Sequence, residues 1–189
     1  MITPKIPDLV SDIGKGCSEV PVISRRNWGS ATNVSKDRKI EKPEYTVILV
    51  VIHHTNGKHC KTKEECKRII KDIEKFDIEL MNKRDILMHF FIGGENMVFE
   101  GRGWGVEAEV IPDTSASLMI NIAFIGNFTS ETVPTKALHL AEKLIQCGIQ
   151  RKQISKQYKV YGHNDLACTD CPGKELLAKA NFASVDLDY

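Results

Sequence analysis

The residues best suited to chemistry lie in two stretches far apart in the chain. In the first, Val47-Ile48-Leu49-Val50-Val51-Ile52 runs without a charge into His53-His54-Thr55. In the second, Gly162-His163-Asn164-Asp165 is followed by Cys168-Thr169-Asp170-Cys171-Pro172-Gly173. Imidazole is the commonest metal ligand and an acid or base near neutral pH. Zinc takes imidazole nitrogen and thiolate sulfur in tetrahedral geometry, and catalytic sites use three protein ligands. His53, His163 and Cys171 are therefore a candidate His2Cys set, whose fourth position would take a water with its pKa lowered towards about 7. Two blander readings compete. The histidines could be core or rim residues with ordinary hydrogen bonds. The lone Cys168-x-x-Cys171 could also be a structural metal motif or close as a disulfide, which would remove the thiolate ligand.

These residues need elements to position them. The apolar run before His53 reads as a strand buried on both faces, as in the middle of an α/β sheet. Ligands of such sheets gather outside the carboxyl ends of the strands. His54 should point to the face opposite His53, because side chains alternate along a strand. Tyr158-Lys159-Val160-Tyr161 reads as a short strand delivering Gly162-His163, and residues 119–125 as another buried strand. Met88-His89-Phe90-Phe91-Ile92 and Met97-Val98-Phe99, joined by Gly93-Gly94-Glu95-Asn96, form a β-hairpin signal. Val22-Ile23 suggests a short edge strand followed by a turn, and 29–44 a surface loop.

Helix signals complete the pattern. Thr62-Lys63-Glu64-Glu65 matches a capping box. Behind it Cys66, Ile69, Ile70, Ile73, Phe76 and Leu80 recur at helical spacing, with Lys71, Asp72, Glu74, Lys75 and Glu79 on a solvated face. Cys60 and Cys66 flank the start of that helix. Pro134-Thr135 opens a second helix with Ala137, Leu138, Ala141, Leu144 and Ile145 on one face and Gly148 as its cap. Cys147 lies in its last turn, within reach of Cys17. A final short helix begins near Gly173. The glycines of Glu100-Gly101-Arg102-Gly103-Trp104-Gly105 loosely match a dinucleotide fingerprint, but no amphipathic helix follows them.

Composition narrows the class. At 189 residues the chain fits one domain with a sizeable core. Its net charge of +1 gives no support for a nucleic-acid or anionic-membrane partner. No apolar run approaches the roughly 18 residues of a transmembrane segment. The start, MITPKIPDLV, lacks the apolar region of a leader peptide, so the expectation is an intracellular chain or a form with its leader removed. Six cysteines suit a disulfide framework but allow fifteen pairings. The sequons at Asn33 and Asn127 would permit glycosylation in a secretory pathway.

Taken in order, the motifs resemble the peptidoglycan recognition proteins of animal innate immunity, relatives of zinc-dependent N-acetylmuramoyl-L-alanine amidases. The carriers are Ile52-His53-His54-Thr55, Cys60 and Cys66, Asp85-Ile86, Phe91-Ile92-Gly93-Gly94, Phe99-Glu100-Gly101-Arg102-Gly103-Trp104, the stretch 122–128, Gly162-His163 and Cys171-Pro172-Gly173. The resemblance implies an α/β single domain, a central mixed β-sheet covered by about three α-helices. It spans 21–180, between an N-terminal arm (1–20) and a C-terminal tail (181–189). It further implies one zinc ion on His53, His163 and Cys171, with Thr169 polarising the scissile carbonyl. It implies disulfides Cys60–Cys66 and Cys17–Cys147, leaving Cys168 as the extra thiol, and a secreted protein that binds bacterial peptidoglycan or muropeptide and signals through a protein partner. Arg102 would pair with a stem-peptide carboxylate or be a surface arginine, and Trp104 would stack on ligand or be a core aromatic. His54 has no site role in the family.

The sequence departs from that family in the cleft. Amidase-active members carry a tyrosine in D-I-G-Y-N-F, whereas here the stretch is Asp85-Ile86-Leu87-Met88-His89-Phe90. Met88 holds the tyrosine place and cannot donate a strong hydrogen bond; it and its neighbour His89 are candidate ligand-binding residues, although strand alternation should point His89 the other way. Where the family has G-A-H, an ungapped count gives Ala108-Glu109-Val110, so Val110 replaces a cleft histidine. Three functions follow: a recognition protein that binds muropeptide without cleaving it, a zinc amidase acting on the lactyl–L-alanine amide, or a scaffold for protein contacts. The cleft changes support the first and the intact ligand set the second.

Overall fold

The computed structural model describes residues 17–32, 47–94, 96–112 and 114–179. The expected tail, most of the expected arm, most of the 29–44 loop and the sequon at Asn33 lie outside the described residues. Six strands, β1 (Val22–Ile23), β2 (Val47–His54), β3 (Phe90–Gly93), β4 (Met97–Glu100), β5 (Met119–Phe124) and β6 (Ile154–Gly162), form one sheet in the order β1-β4-β3-β5-β2-β6. β3, β5, β2 and β6 run parallel, while β4 pairs antiparallel to β3. The carboxyl ends of β2 and β6 are adjacent, with Ile52 beside Gly162. That register alone brings His53 and His163 to one rim.

Helices α1 (Arg25–Trp28), α2 (Lys63–Lys75), α3 (Thr135–Gln150), α4 (His163–Leu166) and α5 (Lys174–Lys179) surround the sheet. Strand alternation gives the core two main clusters, one on each face of the sheet. Val50, Ile52, Phe90, Ile92, Ile120 and Ile122 meet Leu140, Ala141, Leu144 and Ile145 of α3. Phe91, Phe99 and Ala123 meet Cys66 and Ile70 of α2, together with Trp28 and Ile86. The capping box at Thr62 is formed, with Thr62 Oγ1 accepting the Glu65 N–H and Glu65 Oε2 accepting the Thr62 N–H. Disulfides join Cys60 to Cys66 and Cys17 to Cys147.

Four expectations are corrected. The turn after Val22-Ile23 is the short helix α1, capped by Ser24. Gly148 does not end α3; the helix continues to Gln150, and Gly148 is buried within it. A Cβ there would come within 2.6 Å of Ile154 and 2.7 Å of Trp104, so the glycine makes room for packing. Phe76 and Leu80 do not extend the buried stripe of α2. Residues Phe76–Leu80 form a π-helical turn, closed by Met81 N–H on Phe76 O. Its wider period breaks the phase of the stripe, leaving Phe76 and Leu80 exposed and turning Asp77 inward. Finally, Glu74 is buried, not solvated. Its carboxylate lies 2.9 Å from the Arg25 guanidinium, which also binds Asp85 at 2.7 and 2.8 Å.

Candidate metal centre and ligand cleft

Each member of the candidate set is delivered by a different piece of backbone. His53 is the penultimate residue of β2 and is 1% exposed. His163 opens α4 directly after β6 and is half-buried. The Gly162 N–H that precedes it donates to Asp165 Oδ2 at 2.7 Å, fixing the strand-to-helix corner. Cys171 lies in the loop between α4 and α5. Its carbonyl accepts the Asn164 N–H, and its N–H donates to Thr169 Oγ1 at 3.2 Å. Gly173 lets that loop pass against the chain: its φ is +88°, and a Cβ would lie 2.4 Å from the Phe128 carbonyl.

These elements bring one ligand atom from each of His53, His163 and Cys171 to within 4.8 Å of one another. His53 Nδ1 is 3.8 Å from Cys171 Sγ, and the two imidazole centroids are 4.7 Å apart at 52°. Tetrahedral bonds of the zinc–nitrogen and zinc–sulfur lengths set such donors about 3.4–3.6 Å apart. The set therefore fits a zinc-sized ion after a contraction of about an ångström, and its two nitrogens and one sulfur are the donors zinc prefers. Burial, with His163 adding to it, pushes the His53 imidazole down to about 3, so His53 is neutral and able to ligate. Burial also lowers His163. The Cys171 thiol is pushed up to about 11 by burial, against the His54 N–H that donates to its sulfur at 3.3 Å. Metal binding would thus release a proton from Cys171.

The cluster lines a cleft of about 380 Å³, shared with His54, Asn56, Met88, Thr169 and Asp170. His54 reaches its rim, but its ring is tied to the backbone, with Nδ1 accepting the Phe128 N–H at 3.2 Å. Cys168 is a free, exposed thiol, and Cys171 likewise forms no disulfide.

The other expected ligand-binding residues lie elsewhere. His89 is 3% exposed, donating from Nε2 to Val106 O at 2.8 Å and accepting the Asn121 N–H on Nδ1 at 2.9 Å. Both ring nitrogens are satisfied inside the sheet, so it cannot reach a ligand. Arg102 is 5% exposed and binds backbone oxygens: Nε donates to Ile86 O at 2.6 Å, with further bonds to the carbonyls of Glu107 and Asp85. Its guanidinium braces the loop after β4 from outside the metal cleft. Trp104 packs on Phe90, with centroids 4.6 Å apart, and against Gly148 of α3. Val110 packs against the small cluster of Val51, Ile111 and Met119 and does not line the cleft. The sequence reading missed Asn121, whose Oδ1 lies 3.0 Å from His53 Nε2. Its signal was an amide in the middle of the buried run Met119–Phe124.

Comparison with known proteins identifies the family. Residues 43–174 match the family model described as N-acetylmuramoyl-L-alanine amidase. Peptidoglycan-recognition protein SC2 of Drosophila melanogaster is 33% identical over 157 residues, 83% of this chain and 83% of the relative. One similar structure is tracheal cytotoxin bound to the ectodomain complex of peptidoglycan recognition proteins LCa and LCx. Its TM-score is 0.75 at 27% identity, covering 82% of this chain and 92% of that one. Another is human PGRP-IBETAC in complex with glycosamyl muramyl pentapeptide, with a TM-score of 0.73 at 28% identity, covering 82% and 90%. The chain belongs to the peptidoglycan recognition protein family, which is related to the N-acetylmuramoyl-L-alanine amidases.

Proposed function

We propose that this chain recognises bacterial peptidoglycan, binding a muropeptide in the cleft above a zinc ion held by His53, His163 and Cys171. The observation that carries the reading is the placement of Met88 in the same cleft as the three candidate ligands. Two relatives of the same fold hold, respectively, tracheal cytotoxin and a glycosamyl muramyl pentapeptide. Bound zinc would act as a Lewis acid towards an amide carbonyl and water. Around it, Thr169 and Asp170 supply polar groups at the cleft wall. Met88 supplies apolar contact and no proton, which favours holding a muropeptide over cleaving it.

Amidase action is the second reading, and the complete His2Cys set with Thr169 beside Cys171 favours it. In this reading Thr169 is the residue that polarises the scissile carbonyl. The recognition domain spans 21–180, and signalling runs through a protein partner. Two disulfides suit an extracellular, oxidising compartment. No helix among the described residues is long and apolar enough to cross a membrane.

Three measurements on the purified protein test this: zinc stoichiometry, sedimentation with insoluble peptidoglycan, and release of stem peptide. One zinc with binding and no release is expected. Release at a steady rate moves the assignment to amidase. No binding to peptidoglycan of any stem type leaves the scaffold as a protein-contact module and refutes the proposal.

A further inference from the structure

Strand β5 carries a residue that its surroundings do not favour. Met119, Ile120, Ile122, Ala123 and Phe124 are all buried, as a central strand requires, yet Asn121 lies among them with 0% exposure. Its side-chain amide can make several hydrogen bonds. Among the described residues it makes one, with Oδ1 as acceptor facing His53 Nε2 at 3.0 Å, and Nδ2 finds no partner. A buried donor left unpaired is destabilising, and such groups are uncommon in native proteins. An apolar residue in its place would remove the orphan. What the amide contributes must therefore be sought at His53.

An oxygen facing Nε2 requires the proton to sit on Nε2. Neutral imidazole then carries its lone pair on Nδ1. Nδ1 is the atom that faces Cys171 Sγ at 3.8 Å. The opposite tautomer would put a proton where the metal must bind and a lone pair against the Asn121 oxygen. We infer that Asn121 is a positioning residue for the metal centre: its Oδ1 holds His53 as the Nε2–H tautomer and aims Nδ1 at the site. This rests on the zinc reading above. The geometry is that of an outer-shell partner, which orients a metal-bound imidazole through its second nitrogen. The backbone supports it independently, because the Asn121 N–H is held by His89 Nδ1 whatever side chain Asn121 bears.

The test compares wild type with Asn121→Leu, which matches the amide in size but cannot accept, and Asn121→Asp, which keeps an oxygen at Nε2. Zinc affinity is read by chelator competition, and site geometry by the absorption of the cobalt(II)-loaded protein. Asn121→Leu should melt no lower than wild type in the metal-free form. It should bind zinc about 10–100-fold more weakly and show altered cobalt bands. Asn121→Asp should restore affinity to within a few-fold. A folded Asn121→Leu protein with wild-type zinc affinity and cobalt spectrum overturns the role of Asn121 and leaves the metal reading standing. A wild-type protein that binds neither ion overturns both. Should the leucine variant fail to fold, imidazole ¹⁵N shifts of metal-free wild type decide: His53 with its proton on Nδ1 refutes the inference.

Discussion

Met88→Tyr, with Met88→Phe as its control, separates recognition from catalysis at this site. Met88 lines the cleft beside His53, His163 and Thr169. Its backbone is clamped, because its carbonyl accepts the Arg102 N–H at 2.9 Å. Gly101 packs so closely on that carbonyl that a Cβ there would lie 2.1 Å from the oxygen. A substitution at this position therefore changes the side chain and not the path of the chain. Methionine offers no strong donor; a phenol offers one at the cleft wall. One donor aimed at a developing oxyanion contributes about 2.7–4 kcal/mol, or about 10²–10³-fold in kcat. Because this phenol has not been optimised in place, the expected gain for Met88→Tyr is at least about 10-fold, with that range as the ceiling. The assay is release of stem peptide from purified peptidoglycan by zinc-loaded protein, followed by the appearance of free amino groups. The phenylalanine variant has the ring without the hydroxyl and should stay at the wild-type rate. If Met88→Tyr binds zinc and peptidoglycan as wild type does but hydrolyses no faster than Met88→Phe, the missing donor is not what limits catalysis here.

Three further predictions concern the frame that holds the site. Arg25→Met strands two buried carboxylates, Glu74 and Asp85, and should cost about 3–5 kcal/mol in urea unfolding; adding Glu74→Gln and Asp85→Asn should recover much of it. The Cys17–Cys147 link spans 130 residues and the Cys60–Cys66 link 6, so chain entropy gives about 5 and about 2 kcal/mol respectively; alanine pairs should lower the urea midpoint in that order, and equal losses would refute the entropic account. Burial lowers His89 from 6.5 to about 4. Its folded form holds the proton less well than its unfolded form, so its contribution is complete above the unfolded value and declines as pH falls towards 4. At most it amounts to about 3 kcal/mol. Unfolding free energy measured from pH 7 to 4 should fall, and His89→Gln should flatten part of that slope.

Local signals in the sequence carried most of the fold. The apolar run into His53, the capping box at Thr62 and the Met119–Phe124 run each report on their own backbone, and each became the element it indicated. What escaped was decided by partners distant in the chain. Glu74 lies on a helix face that reads as solvated, until Arg25 arrives from 49 residues away. Gly148 reads as a helix end until Trp104 fills the space above it. Arg102 reads as a carboxylate partner through the family resemblance, and His89 as a ligand group through its place beside Met88. Only the packed structure shows their donors already bound to Ile86 O and Val106 O. Ser24, a standard helix N-cap residue, was the local cue to α1.

The two departures from the family's cleft pattern prove unequal once placed. Val110 joins Val51, Ile111 and Met119 in an apolar cluster, where a β-branched residue adds packing, and it is not among the residues lining the metal cleft. Met88 stays in the cleft with the candidate ligands. Of the two, Met88 is therefore the departure that adjoins the candidate metal ligands. The ligand atoms themselves are set by strand register, by the corner at Gly162 and by the loop at Gly173, none of which involves Met88. A scaffold built this way can lose a proton donor without loosening its metal site. That explains how a complete His2Cys set and a cleft that lacks the tyrosine hydroxyl occur in one molecule. Asn56, Met88, Thr169 and Asp170 line the cleft around the cluster, so substitutions there change the cleft wall without removing a candidate ligand.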